Sequence, residues 1–200
     1  MQKKEQIQPT GIDYSEVYVY ASEMTNRDAL QCAFGTNYTI EDYNDDWTTT
    51  VYQRWSKADA WITNNTTEQK TIWETKARPD IHIDDYEDGY FNVAKAKSLE
   101  KIADKHPDTP IYIALIYPLD KAVVAYPLEE LPKFQTRQVK AWSPDQGKYV
   151  MEWNYLVPVS NVDRVHNAGG YIRHWSGCEW QEMYDYNEQI GIELSERGLL

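Results

Sequence analysis

The chain is poor in the residues that mark disulfide-rich, zinc-binding and phosphate-cradling proteins. Its two cysteines, Cys32 and Cys178, stand far apart and form no CxxC or Cys/His spacing, so neither a zinc site nor a disulfide framework is predicted. The histidines are scattered without an HxH or HExxH pattern. No Walker loop or Gly-x-Ser-x-Gly turn occurs, which leaves P-loop and serine-hydrolase chemistry without support.

Long apolar runs are also missing. No segment approaches the roughly 20 residues that a membrane-spanning helix needs. The first eight positions, Met1 to Gln8, contain no apolar core of a secretory signal. From these features we expect a cytoplasmic protein without a membrane partner.

Basic residues are outnumbered. There are 20 lysines and arginines against 32 acidic residues, a net charge of −12, which argues against a general nucleic-acid coat but permits a locally basic cleft. Residues 133–173 are the exception to the acidic trend, and we expect any backbone contacts with nucleic acid to come from there. The basic residues of this segment are Lys133, Arg137, Lys140, Lys148, Arg164 and Arg173, against Asp145, Glu152 and Asp163.

Aromatic residues are abundant but unusual in kind. The chain has 16 tyrosines and 8 tryptophans against 3 phenylalanines. Tyrosine and tryptophan bury apolar area while keeping a polar group, so this surplus suits a core, a protein interface or base stacking. Of the tryptophans near the hairpin described next, we expect Trp73 to be core, whereas Trp61 either packs against a neighbour or stacks on a base.

A predicted β-hairpin brings two carboxylates and an ammonium together. The polar break 64–69 separates two apolar runs, and a turn centred on Thr66 and Thr67 places Asp59 directly across from Glu74. Glu74 and Lys76 are two positions apart and therefore share a face of their strand. Magnesium prefers oxygen ligands and keeps several waters, so this cluster predicts a magnesium site with a lysine beside it.

The elements around the hairpin follow a definite order. After an acidic loop, positions 90–103 carry a helical period, 111–117 form an almost wholly apolar run typical of a buried strand, and 121–127 predict another strand. Upstream, Glu16–Ala21 fits either a strand or a helical turn, and a short helix is predicted from a cap at Thr25 to a stop at Gly35. Downstream, a hairpin around 144–147 and a helix over 179–196 are predicted.

The hairpin with Asp59 and Glu74-Thr75-Lys76, followed by helix, buried strand and strand, resembles the PD-(D/E)XK nuclease superfamily over roughly Arg54 to Leu128. Ala58 stands before Asp59 where the family motif has proline. The resemblance implies an α/β protein with a restriction-endonuclease-like mixed β-sheet core flanked by helices. We expect one nuclease-like domain over residues 1–200, with a core of about 15–132 and a β-rich C-terminal elaboration from about 133.

The resemblance also implies roles for individual residues. Asp59, Glu74 and the carbonyl of Thr75 would bind Mg²⁺ or Mn²⁺, and Lys76 would orient the attacking water for hydrolysis of DNA. A basic residue on the following helix would face the site, with Lys95 the first choice and Lys97 the second. The candidates for a fourth acidic ligand are Glu23, Asp28 and Asp46.

Other functional classes remain open at this point. An acidic, Tyr/Trp-rich chain could be a catalytically inactive binding protein that mimics DNA and inhibits DNA-binding enzymes, or a phage structural protein. A nuclease of this charge could also require a protein partner or a homodimer to reach DNA, in a phage or bacterial setting. Converging Asp59, Glu74 and Lys76 favour the nuclease, whereas splayed side chains favour the alternatives.

Overall fold

The computed structural model describes residues 12–43, 57–143 and 148–200. The helices are α1 (Tyr14–Phe34), α2 (Val93–Ala103), α3 (Val162–Asn167) and α4 (Trp180–Glu196). The strands are β1 (Tyr38–Asp42), β2 (Ala60–Asn64), β3 (Lys70–Ala77), β4 (Asp88–Asn92), β5 (Ile111–Tyr117), β6 (Ala122–Pro127), β7 (Thr136–Ser143), β8 (Lys148–Pro158) and β9 (Tyr171–His174). Two sequence predictions lie outside the described residues: Asp46 as a ligand and the turn 144–147.

The main sheet has six strands in the order β1-β2-β3-β5-β6-β9. β3 and β5 are parallel, because α2 lies on the crossover between them, and the other neighbours are antiparallel. A second sheet of three antiparallel strands has the order β4-β8-β7. The protein is therefore of the mixed α/β class, with a mixed sheet flanked by helices.

Both faces of the main sheet are covered. On one face α2 buries Leu99 against Ile72 and Leu115, and on the other α1 buries Leu30 against Trp73. β5 lies at the centre and is buried on both faces, which is why its sequence is nearly all apolar and does not alternate. The predicted strands over 70–77, 111–117 and 121–127 are thereby confirmed, and Trp73, which is 2% exposed, is a core residue as expected.

Two predicted helix boundaries are wrong. α1 is one helix of 21 residues that begins after the cap Asp13, and Thr25 lies inside it, where its hydroxyl donates to the carbonyl of Ala21 (2.6 Å). A threonine can therefore be read as a cap when its hydroxyl instead bonds back within the helix. α2 begins only at Val93, because the side chain of Asn92 accepts hydrogen bonds from the first turn and ends β4 there. The predicted helix stop at Gly35 is confirmed.

The expectation about cysteine was also wrong. Cys32 at the end of α1 and Cys178 just before α4 form a disulfide, with Cα atoms 6.8 Å apart and a sequence separation of 146. The spacing of the two cysteines in the sequence cannot predict such a bond, because they come together only when α4 packs along α1. Gly191 of α4 permits that close approach, since a Cβ there would lie 3.1 Å from the ring of Tyr20. Within the described ranges, no helix is both long and apolar enough to cross a membrane.

Candidate active site

The β2–β3 hairpin has the register that the sequence predicts. Ala60 pairs with Trp73 and Thr63 with Lys70, so the pairing is centred between Thr66 and Thr67. Asp59 lies just before β2, in the position across from Glu74. There the ladder departs from its register, because the Asp59 N–H donates to the carbonyl of Trp73 (2.9 Å) rather than continuing to Glu74.

This departure turns the Asp59 carboxylate towards Thr75. Oδ2 of Asp59 accepts hydrogen bonds from the backbone N–H and from the hydroxyl of Thr75, each 2.7 Å long. Asn26 of α1 donates from Nδ2 to the same hydroxyl (2.9 Å), so α1 helps to fix the arrangement. Thr75 therefore positions Asp59 through its N–H and its side chain, a role that the sequence did not reveal.

Glu74 and Lys95 form a buried ion pair. Nζ of Lys95 lies 3.0 Å from Oε2 of Glu74, and each side chain is only 10% exposed. Lys95 also donates to the backbone carbonyl of Lys57 (2.7 Å), just upstream of Asp59. Lys95 thus faces the site from the first turn of α2, whereas Lys97 is exposed.

The charges of the cluster act on one another. Burial raises the pKa of Glu74 well above its usual range, the nearby Asp59 raises it further, and Lys95 opposes both. For Lys95, desolvation lowers the pKa, but the carboxylates of Glu74, Asp59 and Glu23 outweigh that effect, so its pKa is raised. The pair is therefore a protonated lysine beside a carboxylate that ionises with difficulty.

Lys76 follows Glu74 on the same face of β3. The residue is solvent-exposed, yet loss of water around its ammonium lowers its pKa, and Arg78 acts in the same direction. Glu74 and Asp59 raise the pKa of Lys76 but do not offset the lowering. Lys76 is thus within electrostatic reach of both carboxylates and loses its proton more readily than an ordinary lysine.

The fold separates the candidates for a further acidic residue. Glu23 of α1 raises the pKa of both Glu74 and Lys95, so it is within electrostatic reach of the pair. Asp28 instead accepts a hydrogen bond from Asn187 of α4 (2.8 Å), away from the hairpin. Glu23 and Asn26 are three positions apart, the spacing that places two residues on one side of a helix.

Asp59, Glu74 and Thr75 are the residues that could hold a metal ion. Among the described residues there is no cluster of three or more histidine, cysteine or acidic side chains of metal-binding geometry. The two carboxylates could supply oxygen ligands, and the Thr75 carbonyl directly follows Glu74 in the sequence. Oε2 of Glu74 is buried and, besides its ion pair with Lys95, accepts no hydrogen bond of ordinary geometry within the described structure. A buried carboxylate oxygen short of donors is the type of ligand that a hard cation satisfies.

Two ring side chains from neighbouring segments contact other partners. Trp61 stacks on Tyr43, with ring centroids 5.2 Å apart, and meets the ring of His106 at 5.5 Å, so it packs against its neighbours. His82 pairs with Asp120 (3.0 Å) on the loop after β3.

Comparisons with protein-family models, with curated proteins and with solved structures found no match to this chain.

Proposed function

We propose that this protein is a metal-dependent nuclease that hydrolyses phosphodiester bonds in DNA. The observation that carries the proposal is the buried ion pair of Glu74 and Lys95 at 3.0 Å, within electrostatic reach of Asp59 and Lys76 at one end of the β2–β3 hairpin. A purely structural ion pair would not need two carboxylates and a lysine of lowered pKa beside it. Perturbed ionisable groups gathered in this way are typical of functional sites.

The order of elements supports the same proposal. The hairpin is followed by α2, by β5 parallel to β3, and by β6 antiparallel to β5. This is the order of the PD-(D/E)XK core after its first helix, and α1 occupies the place of that helix. We therefore propose a restriction-endonuclease-like core, to which β9 and the second sheet are added.

Each residue of the cluster has a chemical task in this mechanism. Mg²⁺ or Mn²⁺ bound by Asp59, Glu74 and the Thr75 carbonyl would polarise a phosphate oxygen and acidify a bound water. Lys76 orients the water, whose proton passes to solvent, and its charge opposes the negative charge that develops on the phosphate. As the water oxygen bonds to phosphorus, the bond from phosphorus to one ester oxygen breaks, and that oxygen takes a proton from solvent.

Lys95 acts through Glu74 in this scheme. Its ammonium holds the carboxylate in a fixed position and opposes the effect of burial on its pKa. Lys95 is therefore assigned as a positioning residue, and Glu23 adds negative charge to the same cluster.

The test is cleavage of supercoiled and single-stranded DNA with Mg²⁺ or Mn²⁺ and with EDTA. Glu74→Ala and Lys76→Ala should each lower the rate by roughly a hundredfold or more, since removing one group that stabilises charge in the transition state costs about that factor. Lys97→Ala, on the exposed side of α2, is the matched control and should cut normally. Cleavage that persists in EDTA or in Glu74→Ala would overturn the proposal, as would no cleavage of any substrate by the wild type.

A further inference from the structure

Part of the second sheet consists of two strands. β8 pairs with β4 only from Asn154 to Pro158, whereas it pairs with β7 from Lys148 to Tyr155. Among the described strands, the part of β8 before Asn154 therefore pairs with β7 alone. We call residues 136–143 and 148–153 the arm.

One face of the arm is aromatic and exposed. Tyr149, Met151 and Trp153 alternate along β8, so they point to the same side, and they are 61%, 58% and 53% exposed. Further along β8, the same side packs into the core through Tyr155 and Val157. The row therefore extends this side of β8 beyond the residues that pack into the core. Large apolar side chains that are exposed together mark a binding surface.

The arm is also cationic within an acidic protein. The arm carries Arg137, Lys140 and Lys148 against Glu152, a net charge of +2, in a chain whose total is −12. Lys140 lies opposite Met151 on the neighbouring strand, and its Nζ is 4.9 Å from the centre of the Tyr149 ring. Positive charge interleaved with aromatic rings suits an anionic chain of stackable bases. A second copy of this chain would instead present the same positive charge at its own arm.

One end of the arm lies close to the candidate active site. Glu152 of β8 accepts a hydrogen bond from Nδ2 of Asn92 (2.8 Å), and Asn92 caps the helix whose first turn carries Lys95. Arg78, two positions after Lys76, donates to the carbonyl of Tyr90 in β4 (2.7 Å). Arg78, close to Lys76, and Asn92, close to Lys95, thus link the site to β4, the strand that pairs with β8.

We propose that the exposed face of the arm binds an unpaired stretch of DNA by base stacking and guides it to the site. The inference rests on the proposed nuclease function and specifies its substrate as single-stranded or locally unpaired DNA. Alternate residues on a strand are about 7 Å apart, which spaces Tyr149 and Trp153 by about 14 Å along β8. Bases can therefore stack at both ends of the row, while Lys140 contacts the phosphate backbone.

The first measurement is binding of fluorescein-labelled oligo(dT) to the full-length protein in EDTA, followed by fluorescence anisotropy. Trp153→Ala and Tyr149→Ala should each weaken binding roughly five- to hundredfold, the loss expected for one stacked base. The matched control is Tyr186→Ala on α4, which removes a tyrosine that is 68% exposed far along the chain from the arm, and it should bind like the wild type. The unfolding midpoint of each variant verifies that it is folded.

A second measurement separates this inference from the nuclease proposal. Hydrolysis of bis(p-nitrophenyl) phosphate, which is too small to span the arm, should be unchanged in Trp153→Ala, while cleavage of single-stranded DNA falls. If the wild type cuts nothing but Trp153→Ala still loses oligo(dT) binding, the nuclease proposal fails and the arm remains a nucleic-acid surface. The arm proposal is overturned if folded Trp153→Ala binds oligo(dT) normally or if the wild type binds duplex DNA as tightly as single strands. It is also overturned if Trp153→Ala abolishes self-association of the protein and leaves oligo(dT) binding unchanged.

Discussion

The buried pair of Glu74 and Lys95 allows a quantitative test of the site. Lys95→Met keeps the aliphatic length of the side chain but removes the ammonium 3.0 Å from Oε2 of Glu74. Each side chain is only 10% exposed, so water cannot replace the lost partner, and Asp59 still disfavours the Glu74 carboxylate. Breaking such a pair costs about 3–5 kcal/mol of the free energy of unfolding near neutral pH.

The loss should depend on pH with a definite sign. Because the pKa of Glu74 is raised in the folded state, its ionisation destabilises the fold, and stability is lost as the pH rises from the unfolded value through the folded one. Lys95 lowers the pKa of Glu74, so its removal raises that pKa further. The deficit of Lys95→Met should therefore be smaller at about pH 4, where most of Glu74 is protonated in the unfolded as well as the folded state, and greater near pH 8.

Urea unfolding followed by tryptophan fluorescence across this pH range is the assay. Lys97→Met on the same helix is the control and should change the free energy of unfolding by less than about 0.5 kcal/mol. The double variant Glu74→Leu, Lys95→Met should return to within about 1 kcal/mol of the wild type, since an apolar pair of similar volume replaces the ions. A cost of Lys95→Met below about 1 kcal/mol at neutral pH, or one that does not change with pH, would refute the reasoning.

Two further outcomes follow from contacts outside the site. The Asp120 carboxylate accepts a hydrogen bond from the His82 ring and raises the pKa of His82, so Asp120→Asn should move the His82 titration seen by NMR to lower pH; an unchanged midpoint would contradict this. The disulfide between Cys32 and Cys178 spans 146 positions, and replacing both residues with serine should lower the free energy of unfolding by about 2–4 kcal/mol in urea, at most about 5 by loop closure. Equal stability with and without the bond would contradict this expectation.

Local patterns predicted the hairpin and the strands at the centre of the main sheet. An apolar run such as Ile111–Tyr117 has few alternatives to a strand buried on both faces, and the polar break 64–69 fixes the register of β2 and β3. Pairing distance from the turn then placed Asp59 across from Glu74, an inference that needed only the geometry of neighbouring segments. Lys95 was favoured by the resemblance to the nuclease family and not by local geometry.

The remaining features depend on contacts that local patterns do not encode. The sequence predicted Asp59 to face Glu74, but a bond to the backbone of Thr75 was available one position further along, and the carboxylate turned to it. The contribution of Asn26 depends on how α1 lies across the sheet. Tyr90 matched the period of the following helix, although pairing with Leu156 keeps it in β4. In each of these cases the position of the residue depends on a contact with a residue distant in sequence.

The pairing of the first helix with the last has a consequence for synthesis. α1 carries Glu23 and Asn26 to the site, and it is held from outside by α4, where Asn187 bonds both Thr25 and Asp28. Contacts between such distant segments form late, because a long loop must close first. A growing chain would thus contain Asp59, Glu74 and Lys95 well before the helix that encloses them is fixed, so we expect the assembled site to appear only once α4 has left the ribosome.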